Sequence, residues 1–122
     1  MGVAQALRSE NHDVKIVGVE PSESPVLSGG KPALHRIQGI GSGFIPKIVD
    51  TAKIDEVIKI RSEDAVKMAR KLAKENGLFV GISSGANVLA SVDLARRMRS
   101  ANVITVMPDG ADRYLSMGLL NE

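Results

Sequence analysis

Apolar and polar positions change period several times along the chain, and each change marks a predicted element. Val14 to Glu20, VKIVGVE, is β-branched and almost continuously apolar, as expected of a strand covered on both faces, and Pro21 stops it. Val57-Ile58-Lys59-Ile60 predicts a second short strand. Ser62 then predicts a helix N-cap, with Glu63 and Asp64 in the first turn, apolar residues at Ala65, Val66, Ala69, Leu72 and Ala73, and Asn76-Gly77 as the stop. Phe79 to Ser83 is short and apolar, and a helix is predicted from Ser84 to Arg99 with Val88, Leu89, Val92, Ala95 and Met98 on its buried side. Val103 to Met107, VITVM, predicts a third buried strand, turned by Pro108-Asp109-Gly110. Val3 to Ser9 reads as the tail of a helix that starts upstream. Strands alternating with helices predict an α/β domain, a parallel sheet flanked by helices with right-handed crossovers.

From Ser22 to Thr51 no period is sustained, and five Gly and three Pro predict one long loop or several turns. A structureless loop of that length in a compact domain is usually either functional or a misread element. Ligands of open parallel sheets sit beyond the carboxyl ends of the strands, which here points to the turn after Glu20, the turn Gly81-Ile82-Ser83-Ser84-Gly85 and the Pro108-Asp109-Gly110 turn.

Composition narrows the classes. At 122 residues the chain holds one domain at most, and 43% hydrophobic with 25% charged residues is ordinary for a globular protein. With Phe44, Phe79 and Tyr114 as its aromatics, the core must be aliphatic. No cysteine excludes a disulfide scaffold and thiolate metal sites, and two separated histidines, His12 and His35, do not suggest a metal. The net charge of +2 is spread along the chain, densest at Arg96, Arg97 and Arg99 near a helix end, and with few stacking aromatics nucleic-acid binding is not expected. No apolar run has the length of a membrane span and MGVAQALRSENH lacks signal-peptide features, so no membrane partner and a cytoplasmic location are expected.

Two glycine-rich stretches carry candidate chemistry. GISSG at 81–85 matches G-x-S-x-G, the nucleophile turn of α/β-hydrolases, but that site needs an acid and a histidine after the serine, and both histidines precede Ser83. A bland reading makes Ser83 or Ser84 an N-cap, and a serine at a helix head can also face a ligand. QGIGSGFIP at 38–46 gives G-x-G-x-G at Gly39, Gly41 and Gly43, one residue short of the dinucleotide fingerprint, with Phe44 in the position of the last glycine. Its plain reading is a set of tight turns with Phe44 and Ile45 plugged into the core, and its functional reading is a backbone wall that a ligand approaches closely. Asp109 reads as a cap rather than a catalytic acid.

The runs VGVEPSESPVLSGGKPALHRIQGIGSGFIP, FVGISSGANV and PDGADRYLS, in that order, resemble the C-terminal third of the cysteine synthase (O-acetylserine sulfhydrylase) family over essentially the whole chain. Ser42 in GIGSGF and the SSGA form of the serine turn resemble this family more than the related cystathionine β-synthases. The resemblance implies a partial tryptophan-synthase β-like domain (fold type II) of a pyridoxal phosphate enzyme. The implied reaction is a two-step β-replacement in which O-acetylserine loses acetate and sulfide adds to give cysteine.

It further implies that Ser83 hydrogen-bonds the pyridine nitrogen, that Pro108 lies near the cofactor ring, and that Gly39, Ser42 and Phe44 line the substrate pocket, whose mouth can take the C-terminal tail of serine acetyltransferase. A homodimer is implied as well. The family's Schiff-base lysine motif, its TSGNT-type carboxylate loop and its GTGGT phosphate loop have no counterpart here, and neither Lys15, Lys31 nor Lys47 stands in the lysine's motif. Residues 1–122 are therefore expected to form the C-terminal portion of such an enzyme, inactive and without retained cofactor when alone. The alternative is a non-catalytic truncated paralogue that binds a partner tail or a subunit. Glycine and alanine at 110 and 111, where the family shows serine and glycine, predict an altered turn near the cofactor.

Overall fold

The computed structural model describes residues 1–119. In chain order it contains α1 (Gly2–Glu10), β1 (Val17–Pro21), a single 3-10 turn at Thr51–Lys53, β2 (Glu56–Ile60), α2 (Ser62–Asn76), α3 (Ile82–Arg97) and a 3-10 helix at Ala111–Met117. β1 and β2 pair in parallel, in a register that sets Val17 opposite Glu56 and Pro21 opposite Ile60. Asp55 fixes that register from below β2. Its amide donates to the carbonyl of Ile16 at 2.8 Å, and its carboxylate accepts from the Ile16 N–H and from Arg8, each at 2.6 Å.

The loop from 22 to 50 carries the chain from the end of β1 back to the start of β2, and buried groups hold it in place. Glu20, 2% exposed, accepts from the Leu27 N–H at 2.8 Å and from the Ser28 hydroxyl at 2.5 Å. Ile37 is fully buried in the core, whereas Phe44 is 64% exposed and Ile45 41%. The expected plug at Phe44 and Ile45 is thus corrected to Ile37. The struts at Glu20 and at Ser24, whose hydroxyl accepts from the Ala33 N–H at 3.2 Å, decide which apolar residue of the loop turns inward.

α2 and α3 pack through small residues, with Ala65 and Ala69 facing Gly85, Ala86 and Ala90. A Cβ at Gly85 would run into the carbonyl of Ala65 and the backbone of Ala69, so the two helices meet at backbone distance. Gly77 ends α2 in the left-handed region, at φ 67°, as its sequence predicts. The start of α2 differs from expectation. The N-cap is Arg61, and Ser62 is the first helical residue, its hydroxyl accepting from the Arg36 N–H at 2.8 Å while its own N–H donates to Glu23 at 2.8 Å. Ser62 therefore fastens the loop to the helix and does not cap it.

The predicted strand at Val103–Met107 is not formed. The run has no strand partner among the described residues, and Ile104 is 88% exposed and Val106 66%. A strand exists only through a neighbour's backbone, and a cleft separates this run from β1. α3 begins at Ile82, two residues before the predicted start, and ends at Arg97.

Candidate functional site

The head of α3 is where the two predicted turns meet. The Gly81 N–H donates to the Asp109 carbonyl at 2.9 Å and the Ala111 N–H to the Phe79 carbonyl at 3.2 Å, forming an isolated antiparallel bridge between Val80 and Gly110. This bridge lays the GISSG and Pro108-Asp109-Gly110 turns against one another. A Cβ at Gly81 would enter the space of the Asp109 carboxylate, so a larger residue there would push that side chain off its present bonds.

Asp109 is the hub of the cluster. Its Oδ2 accepts from the Tyr114 hydroxyl, and its Oδ1 faces Ser83 Oγ at 3.2 Å and Ser84 Oγ at 3.5 Å. Ser83 and Ser84 are 2% and 0% exposed, and Tyr114 is 4% exposed. The hydrogen bond to Asp109, then burial, then the nearby carboxylate charge push the Tyr114 phenol above its ordinary value of 10.0. Neither serine is an N-cap, since the cap position is Gly81 and no side chain bonds the helix N–H groups there. Asp109 is not a cap either, since Gly110 holds the cap position of the 3-10 helix; its carboxylate instead binds the Tyr114 and serine hydroxyls beside the head of α3.

The glycine loop reaches the cluster at Gly39. With φ +90°, this residue turns its backbone toward α3, and a Cβ built on it would lie 3.9 Å from Ser83 Oγ. His35 supports the next turn. Its Nδ1 accepts from the Ile37 N–H at 3.2 Å, which assigns the proton to Nε2, and Nε2 donates to the Gly41 carbonyl at 2.8 Å. Both ring nitrogens are thereby engaged by loop backbone, and Ser83 faces a carboxylate instead of an imidazole. The hydrolase arrangement is absent from the geometry as it is from the chain order.

The structure brings Gly39, Ser83 and Asp109 together and places the other predicted positions around them. Pro108 precedes Asp109 at an exposed position. Ser42 and Phe44 line a cavity of about 200 Å³ with Glu20, Leu27, Ile40 and Val49, whose lining does not include Ser83. Among the described residues, no group of three or more His, Cys, Asp or Glu side chains converges as a metal site, and no helix is long and apolar enough to cross a membrane. The role of Tyr114 escapes sequence reasoning. Its spacing of five from Asp109, across the start of the 3-10 helix, is the one signal that could have pointed to it.

Residues 1–109 match the family described as pyridoxal-phosphate dependent enzyme. The chain is 44% identical over 119 residues to a cysteine synthase of Staphylococcus aureus, covering 97% of this chain and 38% of that protein. It is 50% identical over 118 residues to cysteine synthase B of Campylobacter jejuni, covering 97% and 39%. The crystal structure of cysteine synthase from Entamoeba histolytica superposes with a TM-score of 0.96 at 41% identity, covering 99% of this chain and 36% of that one. The chain thus spans about four-tenths of the length of these relatives.

Proposed function

We propose, from the premise that the chain belongs to the pyridoxal-phosphate dependent enzyme family, that it is the C-terminal portion of a cysteine synthase that converts O-acetylserine and sulfide to cysteine and acetate. The observation that carries this reading is the buried Ser83 hydroxyl facing the backbone of Gly39.

The residues present fit the ring edge of the cofactor. At 3.2 Å the contact from Ser83 Oγ to Asp109 is longer than the usual hydroxyl-to-oxygen bond of about 2.7 to 2.8 Å, so its proton is only loosely engaged. Tyr114 donates to Oδ2 of Asp109 and Ser84 faces Oδ1, so Asp109 keeps partners when Ser83 turns its single proton to another acceptor such as an aromatic nitrogen. A neutral hydroxyl in that position does not force the nitrogen to hold a proton, which favours elimination over transamination. The cofactor, when bound, supplies an electron sink for the substrate's α-carbon.

The chain's own residues do the rest. Gly39 offers a wall without a Cβ, Ser83 orients the ring edge, and Asp109 with Tyr114 holds the serine turn. Pro108, beside this turn, would lie near the cofactor ring. Ser42 and Phe44 belong to the pocket mouth, where the exposed ring of Phe44 suits an apolar residue of a serine acetyltransferase tail. A homodimer and a cytoplasmic location accompany this reading.

The isolated chain should show no cofactor absorbance and no turnover of O-acetylserine, because no lysine stands in the Schiff-base motif. A covalent cofactor–lysine adduct trapped by borohydride, together with turnover by the chain alone, would overturn that part of the proposal. The cavity beside Ser42 and Phe44 favours one second reading, a truncated paralogue that binds a partner tail without catalysis. Titration with a serine acetyltransferase C-terminal peptide, in the absence of turnover in any assembly, would select it.

A further inference from the structure

Arg70 lies half-buried on α2, next to the Ala69 that meets Gly85 of α3. The cations on either side of it, Lys67 and Lys71, pair along the helix surface with Glu63 and Glu75. Arg70 takes another course. Its guanidinium reaches off the helix and donates through Nε to the Leu119 carbonyl and through Nη2 to the Gly118 carbonyl, the second at 3.2 Å. These carbonyls follow the end of the 3-10 helix at Ala111–Met117, where Gly118, at φ 70°, closes the last turn in the left-handed region. Carbonyls at a helix end have no partner within the helix, and Arg70 supplies one from 48 and 49 residues away in the chain.

Main-chain bonds carry this clamp toward the serine turn. The Leu119 N–H donates to the Tyr114 carbonyl at 3.3 Å and the Gly118 N–H to the Leu115 carbonyl at 3.1 Å, so the residues that Arg70 holds also hold the turn that bears Tyr114. Leu119 and Tyr114 pack in one core cluster with Ala65 and Ala69 of α2. The Tyr114 hydroxyl donates to Asp109, and Asp109 faces Ser83 and Ser84. A 3-10 helix has poorer hydrogen-bond geometry than an α-helix, so the direction of the phenol depends on what fixes the ends of the helix. The bridge between Val80 and Gly110 ties one end, and Arg70 ties the other. A planar fork on two successive carbonyls fixes orientation as well as distance, which a lysine ammonium does not.

We propose that Arg70 is a positioning residue for the site at the head of α3. Its fork sets the C-terminal end of the 3-10 helix, the helix sets the Tyr114 hydroxyl against Asp109, and the fixed carboxylate sets the turn from which Ser83 meets its ligand. That this ligand is the cofactor ring rests on the proposed function. The clamp itself rests on the hydrogen bonds.

Ultraviolet titration of Tyr114 in the full chain separates this role from plain stabilisation and from charge. Removing a nearby cation raises a phenol's pKa, whereas releasing the phenol from the Asp109 carboxylate lowers it. In a chain that circular dichroism shows to be folded, Arg70→Met should bring the midpoint down toward the ordinary 10.0, and Arg70→Lys should fall between that variant and the wild type. Near neutral pH, exchange of the Leu119 amide should speed roughly tenfold or more in Arg70→Met. The Leu78 amide, bonded to the Leu72 carbonyl at the end of α2, should keep its wild-type rate. Exchange decides alone if the variant unfolds in alkali, and Arg70→Lys carries both measurements if Arg70→Met does not fold. In a complex with the complementary portion of Staphylococcus aureus cysteine synthase, Arg70→Met should lower kcat for O-acetylserine about threefold or more with KM unchanged, and should lower it no further in a Tyr114→Phe background. The proposal is overturned by a midpoint that stays or rises, by Leu119 exchange that speeds only together with Leu78, or by a loss of kcat that adds in full to that of Tyr114→Phe. A wild-type complex without turnover would remove the reaction and leave the clamp to be decided by the midpoint and the exchange.

Discussion

The hydroxyl of Tyr114 donates to Oδ2 of Asp109, and through that one bond the 3-10 helix at 111–117 steadies the carboxylate that faces Ser83. Tyr114 is the single tyrosine of the chain, so its ionisation can be followed directly in the ultraviolet. Its titration midpoint should lie above the ordinary 10.0, because a phenol that donates to a carboxylate resists losing its proton. A group whose folded pKa is raised stabilises the fold fully below its unfolded pKa, and that contribution is lost as pH rises through the folded one. Stability should therefore fall on the alkaline side in the wild type, and Asp109→Asn should bring the tyrosine midpoint back toward 10. A midpoint that does not move in Asp109→Asn would separate the two residues.

Tyr114→Phe keeps the packing and removes the bond. Hydrogen bonds to charged groups contribute about 1.5 to 3 kcal/mol, and urea denaturation should show a loss in that range. The loss should be much smaller in an Asp109→Asn background, because the two residues act as one unit.

Ser83→Ala should separate folding from function. The weak contact to Asp109 predicts a folding cost below about 1 kcal/mol. In an assembly with the complementary portion of a cysteine synthase, the proposed reaction predicts that turnover of O-acetylserine falls roughly tenfold or more, equivalent to about 1.4 kcal/mol or more. Equal turnover in the variant and the wild type would remove Ser83 from the site.

Gly85→Ala tests the helix contact that carries the serine turn. Its methyl group would meet backbone atoms of Ala65 and Ala69, which cannot rotate away, so α2 and α3 must part. Overpacking of this kind costs about 1 to 3 kcal/mol, and a lowered urea midpoint should report it. Gly2→Ala, where a Cβ meets nothing within 4 Å, serves as the neutral comparison.

Local signals made part of this molecule legible in its sequence. α2 is announced by acidic residues at its start, a helical apolar period and Gly77 at its stop, all written within the segment itself. The run Val103–Met107 carries the composition of a buried strand, yet strand formation depends on a neighbouring backbone, and β1 lies across a cleft. Ile37, Phe44 and Ile45 are equally apolar, and nothing local says which one enters the core. That choice is made by distant struts such as Glu20 and Ser24. At the head of α3, the structure brings together the two glycine-rich stretches that hold Gly39 and Ser83, and these were legible as unusual runs. The bond between Asp109 and Tyr114 was not, because a spacing of five across a turn belongs to no repeating pattern.

The loop and α2 are joined by an acid-sensitive link at Glu23. Desolvation raises the Glu23 carboxyl, but the hydrogen bonds it accepts, chiefly from the Ser62 N–H at 2.8 Å, outweigh it and hold the group below its ordinary 4.5. A carboxylate with a depressed folded pKa contributes stability that is fully present above the unfolded value and disappears as pH falls through the folded one. The wild type should therefore exceed Glu23→Gln in stability near about pH 6, and the gap should close toward about pH 3. Because the bond fastens residues 22–24 to the head of α2, the same acid range should speed hydrogen exchange at Ser62 and Arg36 in the wild type before the helix interior opens. Exchange at Ser62 that does not depend on pH beyond the intrinsic chemical rate would show that Glu23 does not hold the helix head.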